Sequence, residues 1–208
     1  MAKKKQNSET KSNRIIGRRY RYTGDYTVYQ VLSPGGGMTK RVTYNGRWIL
    51  PTNDPEEYGK IVSLLWILTA VAAAAIAGAL CVLPAPMTHK WYMPVLVMGL
   101  FPLGYQIMGA VMIPPQITHM ERQRFDKSFL RTGHSAMFTF VVVCLSALGC
   151  GIYWIVYAVS TIEDSAPYSL MDGLFAFLLI LAAAAEFTVY KTARRIKTDT
   201  LDNDAYQP

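Results

Sequence analysis

Four long apolar windows dominate the chain: Ile61–Leu83, Trp91–Ile113, Ala136–Val159 and Leu170–Tyr190. Each exceeds the roughly 18–20 apolar residues that cross a hydrocarbon core about 30 Å thick as a helix. The first and third carry no acid or base. Four such segments could be buried as soluble core helices only by a much larger protein. A backbone crossing lipid must satisfy its own hydrogen bonds, which a helix does. The pattern predicts an all-α membrane protein: four transmembrane helices with a small N-terminal cytoplasmic β-meander.

The meander is read from a change of texture. Residues 1–19 form a basic, polar tail expected to be disordered. From Tyr20 to Asn53, Tyr, Val and Thr prevail, residues that suit a pleated surface. Strands are predicted near Tyr26–Leu32, Met38–Tyr44 and Arg47–Leu50, with a further one at Ile15–Tyr22. Turns are expected at Gly24-Asp25 and at Ser33-Pro34-Gly35-Gly36-Gly37. Asn45-Gly46 signals a two-residue hairpin, because both positions tolerate positive φ. The glycine triplet lacks the lysine and helix of a phosphate loop and reads as a plain hairpin loop. A module this small cannot hold a large core alone. It is expected to pack on the membrane surface, on other cytoplasmic segments or on a partner. Asp54, Pro55 and Glu57 then have the order of a helix start, with a capping acid, a first-turn proline and a reciprocal carboxylate. The first helix is expected over 54–83, running from the cytoplasm into the membrane without a break.

Charge adds orientation. The net charge is +7, yet only 17% of residues are charged. Of 21 Lys and Arg, twelve precede Ile61, one lies in 84–90, four in 114–134, none in 160–169 and four after Tyr190. The bias toward positive cytoplasmic segments puts the N-terminus, the middle connection and the C-terminus inside. The expected location is the cell membrane, plasma or inner. No cleavable leader is read in the polar first 60 residues, so the first span is expected to act as the insertion signal. The outer connections are short, so protein partners are expected in the cytoplasm or the bilayer plane. Cys81, Cys144 and Cys150 fall within the apolar windows and read as small packing residues.

Two kinds of candidate site follow. Basic residues of the tail and middle connection, Lys3, Lys4, Lys5, Arg18, Arg19, Arg21, Arg122, Arg124 and Arg131, suit anionic lipid headgroups. Nucleic acid is disfavoured, because no recognition element accompanies the charge. Connection 114–134 mixes Ile117, Met120, Phe125 and Phe129 with bases and predicts a short helix lying at the interface. Inside the spans, the strongly polar candidates are Gln106 and Glu186. Gln106 sits in a span, 91–113, interrupted by Pro94, Pro102 and three glycines. Such a span either lines a cavity or packs as a kinked helix. Glu186 has Ala182, Ala183 and Tyr190 as helical neighbours, which turns it toward the bundle. It reads either as a structural contact near the inner interface or as a working group. Small residues predict packing faces at Ala70, Ala74, Ala77, Gly78 and Cys81, and at Ser146, Ala147, Cys150 and Gly151.

No metal site is expected, since His119, Glu121 and His134 lack the spacing of a zinc helix. No cofactor is expected, and no nucleophile elbow, Walker or dinucleotide motif is present. Three function classes stay open. The favoured one is a non-enzymatic accessory, assembly or regulatory membrane protein whose cytoplasmic β-module and basic surface meet a protein partner, in the cytoplasm or the membrane, or a second copy of the chain. The second is a small oligomeric transporter or channel using span 2 and Glu186. The third is a membrane enzyme needing Glu186, His119 and His134 together.

Overall fold

The computed structural model describes residues 23–32, 38–82, 92–160 and 170–201. The basic tail, the strand expected at Ile15–Tyr22, the turn expected at Ser33–Gly37, and residues 83–91 and 161–169 lie outside the described residues. Two compact units are present, each built from segments distant in sequence.

The helical unit covers 52–117 and 125–197. Its helices are α1 (Pro55–Val82), α2 (Met93–Met98), α3 (Leu100–Val111), α5 (Arg131–Ser160) and α6 (Leu170–Ala193); the short α4 (Arg122–Phe125), which precedes α5 in the chain, belongs to it only by Phe125. Four helices are long and apolar enough to cross a membrane: Pro55–Val82, Met93–Val111, Arg122–Val156 and Gly173–Ala193. Around the bundle, α1 packs on α6, α6 on α5, α5 on α3, and α3 back on α1. The core gathers Ile76, Leu96, Leu103, Val143, Phe175 and Leu179. The outer surface stays apolar, with Phe101, Val111, Phe138, Ile155 and Ile180 exposed.

Span 2 breaks once, at Gly99. Pro102 has no N–H for the carbonyl of Met98, four residues back. Gly99 instead closes a tight turn onto the Leu96 carbonyl at 3.0 Å. Pro94 lies in the first turn of α2, where a missing donor costs nothing, so it starts the helix and does not interrupt it. The far end of α3 shows the same logic. Pro114 cannot donate to the Ala110 carbonyl, and Trp66 Nε1 of α1 does so at 2.9 Å. Tyr58 Oη donates to the Pro114 carbonyl at 2.9 Å.

Two expectations change here. Connection 114–134 holds no separate interfacial helix. From Arg122 it winds directly into α5 through a π-turn at Asp126–Leu130. There the Ser128 carbonyl accepts from Thr132 Oγ1 at 2.8 Å. α3 approaches this turn so closely that a methyl on Gly109 would lie 3.0 Å from the Ser128 carbonyl oxygen and the Thr132 nitrogen. The second change is the packing face of α1. Ala70, Ala74, Ala77 and Cys81 face outward, and Gly78 sits at the seam with α6, where an added methyl would lie 3.4 Å from Leu178. The buried stripe is Tyr58, Ile61, Leu65, Thr69, Ala72, Ile76 and Ala79. An alanine run offers small residues on every face. The larger residues at steps of three and four select the buried one, about 150° around the helix from the alanine stripe. In α5, Ser146 and Cys150 are buried, while Ala147 and Gly151 border an outward groove.

The second unit contains two sheets. β1 (Tyr26–Leu32) and β2 (Met38–Tyr44) form an antiparallel hairpin, with Tyr26 opposite Tyr44 and Leu32 opposite Met38. β3 (Trp48–Pro51) does not continue the hairpin into a meander. It lies between β4 (Met120–Glu121) and β5 (Thr198–Leu201), antiparallel to both. The reason lies at Tyr44. Its ring is buried, edge-on to Tyr26 and Trp48 at 5.1 and 5.0 Å. Its hydroxyl donates to the Arg47 carbonyl at 2.7 Å and accepts from the Arg122 N–H at 3.1 Å. Asn45 and Gly46 wrap over this ring, both N–H groups donating to the Asp25 carbonyl. A methyl on Gly46 would sit 2.7 Å from the Tyr44 ring and from the Asp25 side chain. The glycine is needed for room, and Gly46 does not occupy the left-handed region a two-residue hairpin demands.

Candidate functional site

Within the helical unit, three polar side chains from three helices converge: Thr69 of α1, Gln106 of α3 and Glu186 of α6. Gln106 and Glu186 both have 0% exposure. Gln106 Nε2 donates to Thr69 Oγ1 at 3.3 Å. Gln106 is also the polar side chain that acts on the Glu186 carboxyl. Gln106 Oε1 and both Glu186 oxygens close no hydrogen bond of standard geometry. These oxygens are all buried in an apolar interior, and the Gln106 amide acts on the Glu186 carboxyl as a donor.

Sequence places them there for simple reasons. Thr69 belongs to the buried stripe of α1. Gln106 follows Leu103 and precedes Ala110 on the buried face of α3. Glu186 continues the α6 stripe of Phe175, Leu179, Ala182 and Val189. Glu186 lies seven residues before the last helical residue, about 10 Å along the axis. It does not reach the helix end, and Lys191 turns instead over the Phe187 ring at 4.4 Å. An ionised carboxylate without a partner in such a place costs several kcal/mol.

The large grooves of the unit are apolar and open outward. One of about 780 Å³ lies between α5 and α6, lined by Phe140, Leu148, Ile180 and Phe187 among others. Another of about 450 Å³ lies between α1 and α3, bordered by Trp66, Ala70, Ile107 and Thr69. Thr69 therefore connects the second groove to the polar cluster.

The other candidates are spread apart. Arg122 and Arg124 are exposed on α4, and the Arg131 guanidinium stands over the Tyr105 ring at 5.4 Å. Lys3, Lys4, Lys5, Arg18, Arg19 and Arg21 lie outside the described residues. His134 is exposed and Glu186 is wholly buried, so these two share no site, and His119 is an exposed residue of the sheet unit. Among the described residues no group of His, Cys, Asp or Glu could hold a metal ion.

The sheet unit has its own polar centre. Tyr26 Oη donates to Glu121 Oε2 at 2.6 Å and lies 3.2 Å from Gln123 Oε1. Burial, then the hydrogen bond to Glu121 and its charge, push the Tyr26 phenol well above its usual range. Burial also raises that of Tyr44, against the opposing Arg122 N–H. Beyond this centre the hairpin is bare: Val28 and Val42 face each other across it at 48% and 61% exposure. Asn53, at the base of α1, accepts from the Lys197 N–H at 2.8 Å and donates to the Arg195 carbonyl at 3.3 Å, tying both ends of the helical unit.

Compared with family models, curated proteins and solved structures, the chain matches none of them.

Sequence reasoning did not select Thr69, Asn53 or the Tyr26–Glu121 contact. A threonine inside an apolar helix is ordinary, because its hydroxyl can bond the preceding turn. Asn53 and Glu121 acquire partners about 95–145 residues away, which no local pattern encodes.

Proposed function

We propose that this is a multi-pass integral membrane protein of accessory, assembly or regulatory type, without an enzymatic reaction of its own. In this reading it presents a basic cytoplasmic β-module at the membrane surface to a protein partner. One observation carries the reading. β3, β4 and β5 come from before the first long helix, between the second and third, and after the fourth, yet they form one sheet. Segments separated by even numbers of crossings share one side of a bilayer, so the sheet is compatible with four spans. These same segments hold twenty of the 21 Lys and Arg, which favours the cytoplasmic side of the plasma or inner membrane. A two-stranded hairpin exposing Val28 and Val42 is marginal in water by itself. A partner strand or surface would complete it.

A membrane-impermeant thiol reagent tests the orientation, using cysteines at Thr43 and Thr200. Labelling is expected only after the cells are opened, and labelling of intact cells overturns the orientation. A photocrosslinker at Val42, used in native membranes, tests the presentation. A defined protein adduct, lost on Val28→Asp, supports it; adducts with lipid alone overturn it.

The buried carboxyl beside a broken span favours a second reading, a small oligomeric transporter or channel using span 2 and Glu186. Flux in proteoliposomes that falls at least tenfold in Glu186→Gln would establish it. Absence of flux for panels of cations, anions and protons would remove it.

A further inference from the structure

We propose that the groove between α5 and α6 holds one acyl chain of an anionic phospholipid, whose phosphate sits at Lys191 and Arg194. The inference rests on the membrane reading given above, and it concerns different cations from those of the tail and the middle connection.

Shape and lining select the acyl chain. The groove has a volume of about 780 Å³ and opens outward. Apart from Cys144, every residue along it is a hydrocarbon side chain or a glycine. On α5 it runs from Phe140 to Ile155, about 22 Å at 1.5 Å per residue. That exceeds the depth of one leaflet, about half of a 30 Å hydrocarbon core. The small residues Ala147, Gly151, Ala183 and Ala184 leave it room, and a methyl added at Gly151 would meet nothing within 4 Å. A long, thin, apolar occupant fits such a slot.

Charge selects the headgroup. Phe140 and Phe187 pack at 5.4 Å at one end of the groove. The Lys191 ammonium stands over the Phe187 ring at 4.4 Å, and the Arg194 guanidinium over Tyr190 at 4.6 Å. Arg194 follows Phe187 by seven residues, about two turns along nearly the same face. Both cations are exposed, and neither has a carboxylate within salt-bridge distance among the described residues. Glu186, next to Phe187 in the chain, is wholly buried. The pair of positive charges therefore stands free where the groove reaches the cytoplasmic surface, and that leaflet is the anionic one. A second copy of the chain suits the groove less. A two-fold axis along the bilayer normal would set both pairs of cations at one depth, and like charges across an interface are costly.

Native mass spectrometry of the full chain in detergent tests this, with phosphatidylglycerol and phosphatidylcholine of identical acyl chains offered together in equal amounts. The anionic lipid should be retained about fivefold or more over the zwitterionic one. Lys191→Gln together with Arg194→Gln should bring the ratio close to one. Lys60→Gln, which removes an exposed cation from α1, should leave it unchanged. Gly151→Leu fills the groove where space is open, and should lower retention of both lipids about fivefold or more. Ala184→Leu, at an exposed position on the facing wall, is a second variant of the same kind and should act alike. Equal retention of the two lipids by the wild type overturns the proposal, as does a preference that Lys60→Gln lowers as much as the double variant. Retention unchanged in both groove variants overturns it too. A lipid-free dimer that separates in Gly151→Leu overturns it in favour of a second copy. Release of the chain from native membranes by alkaline carbonate would remove the membrane reading as well; a chain that stays in the membrane while failing the lipid tests loses this site alone.

Discussion

Two clusters in this molecule use the same three functional groups, a hydroxyl, a carboxamide and a carboxyl. In the sheet unit they are Tyr26, Gln123 and Glu121; in the helical unit, Thr69, Gln106 and Glu186. Glu121 is half-buried and receives a 2.6 Å hydrogen bond from the phenol. Its side chain keeps part of its surface open to solvent. Glu186 is wholly buried, and neither of its oxygens closes a hydrogen bond of standard geometry. The difference teaches that solvation, and not the list of groups, decides how much a carboxyl costs to place. A charge-assisted bond stabilises the first cluster. The value of the second is positional: its three side chains come from α1, α3 and α6.

The most severe way to break the comparison is to remove the carboxamide from the buried cluster. Gln106→Leu leaves Glu186 in a wholly apolar surrounding and deletes the Thr69 contact. A cost of about 1–3 kcal/mol is expected, the desolvation penalty of an orphaned buried polar group. It should appear as a lower melting temperature in detergent. The double variant Gln106→Leu, Glu186→Leu should recover most of the loss, because replacing both partners by apolar groups is close to neutral. A double variant as unstable as the single one would show that packing, not polarity, governs the site.

The matching change in the sheet unit is milder. Tyr26→Phe keeps the ring against Tyr44 and removes only the hydroxyl. A loss of about 1–2 kcal/mol is expected for a partly solvated hydrogen bond to a carboxylate. Amide exchange should quicken in β1, β2 and β4, while α1 and α6 stay protected. Equal quickening in the helical unit would mean that the two units do not unfold separately.

What the sequence made legible follows from the range of the forces involved. The four helices were readable because lipid-length apolar runs are local. Strands β1 and β2 were readable from β-branched residues and turns, down to their ends. Strand pairing was not, because β3 chooses partners near residues 120 and 200. Asn45-Gly46 carries a hairpin signature, yet the buried Tyr44 ring and its bond to Arg47 redirect the chain. In α1 the small-residue stripe at Ala70, Ala74 and Ala77 misled, since the residues between them are also small and the real stripe follows Leu65, Ala72 and Ile76. Gln106 and Glu186 stood out as polar groups in apolar windows. Their convergence, and the part of Thr69, required the ring order of the helices.

The smallest expected effect sharpens the comparison by titration. In the folded protein the Tyr26 phenol lies above its ordinary value, first through burial and then through Glu121. A raised phenol value means that the folded state favours the neutral form. Its contribution to stability is complete below the unfolded value of about 10 and is lost as pH rises from there through the folded value. Glu121→Gln removes the negative charge and the carboxylate acceptor but leaves the burial. Tyr26 should then form phenolate at lower pH than in the wild type, read as ultraviolet absorbance after subtracting the Tyr26→Phe signal. The alkaline loss of β1–β2 protection should shrink with it. If the titration of Tyr26 were the same in both proteins, burial alone would set it. The sheet cluster would then differ from the Glu186 cluster only in degree of exposure, and the charge-assisted bond would lose its place in the contrast.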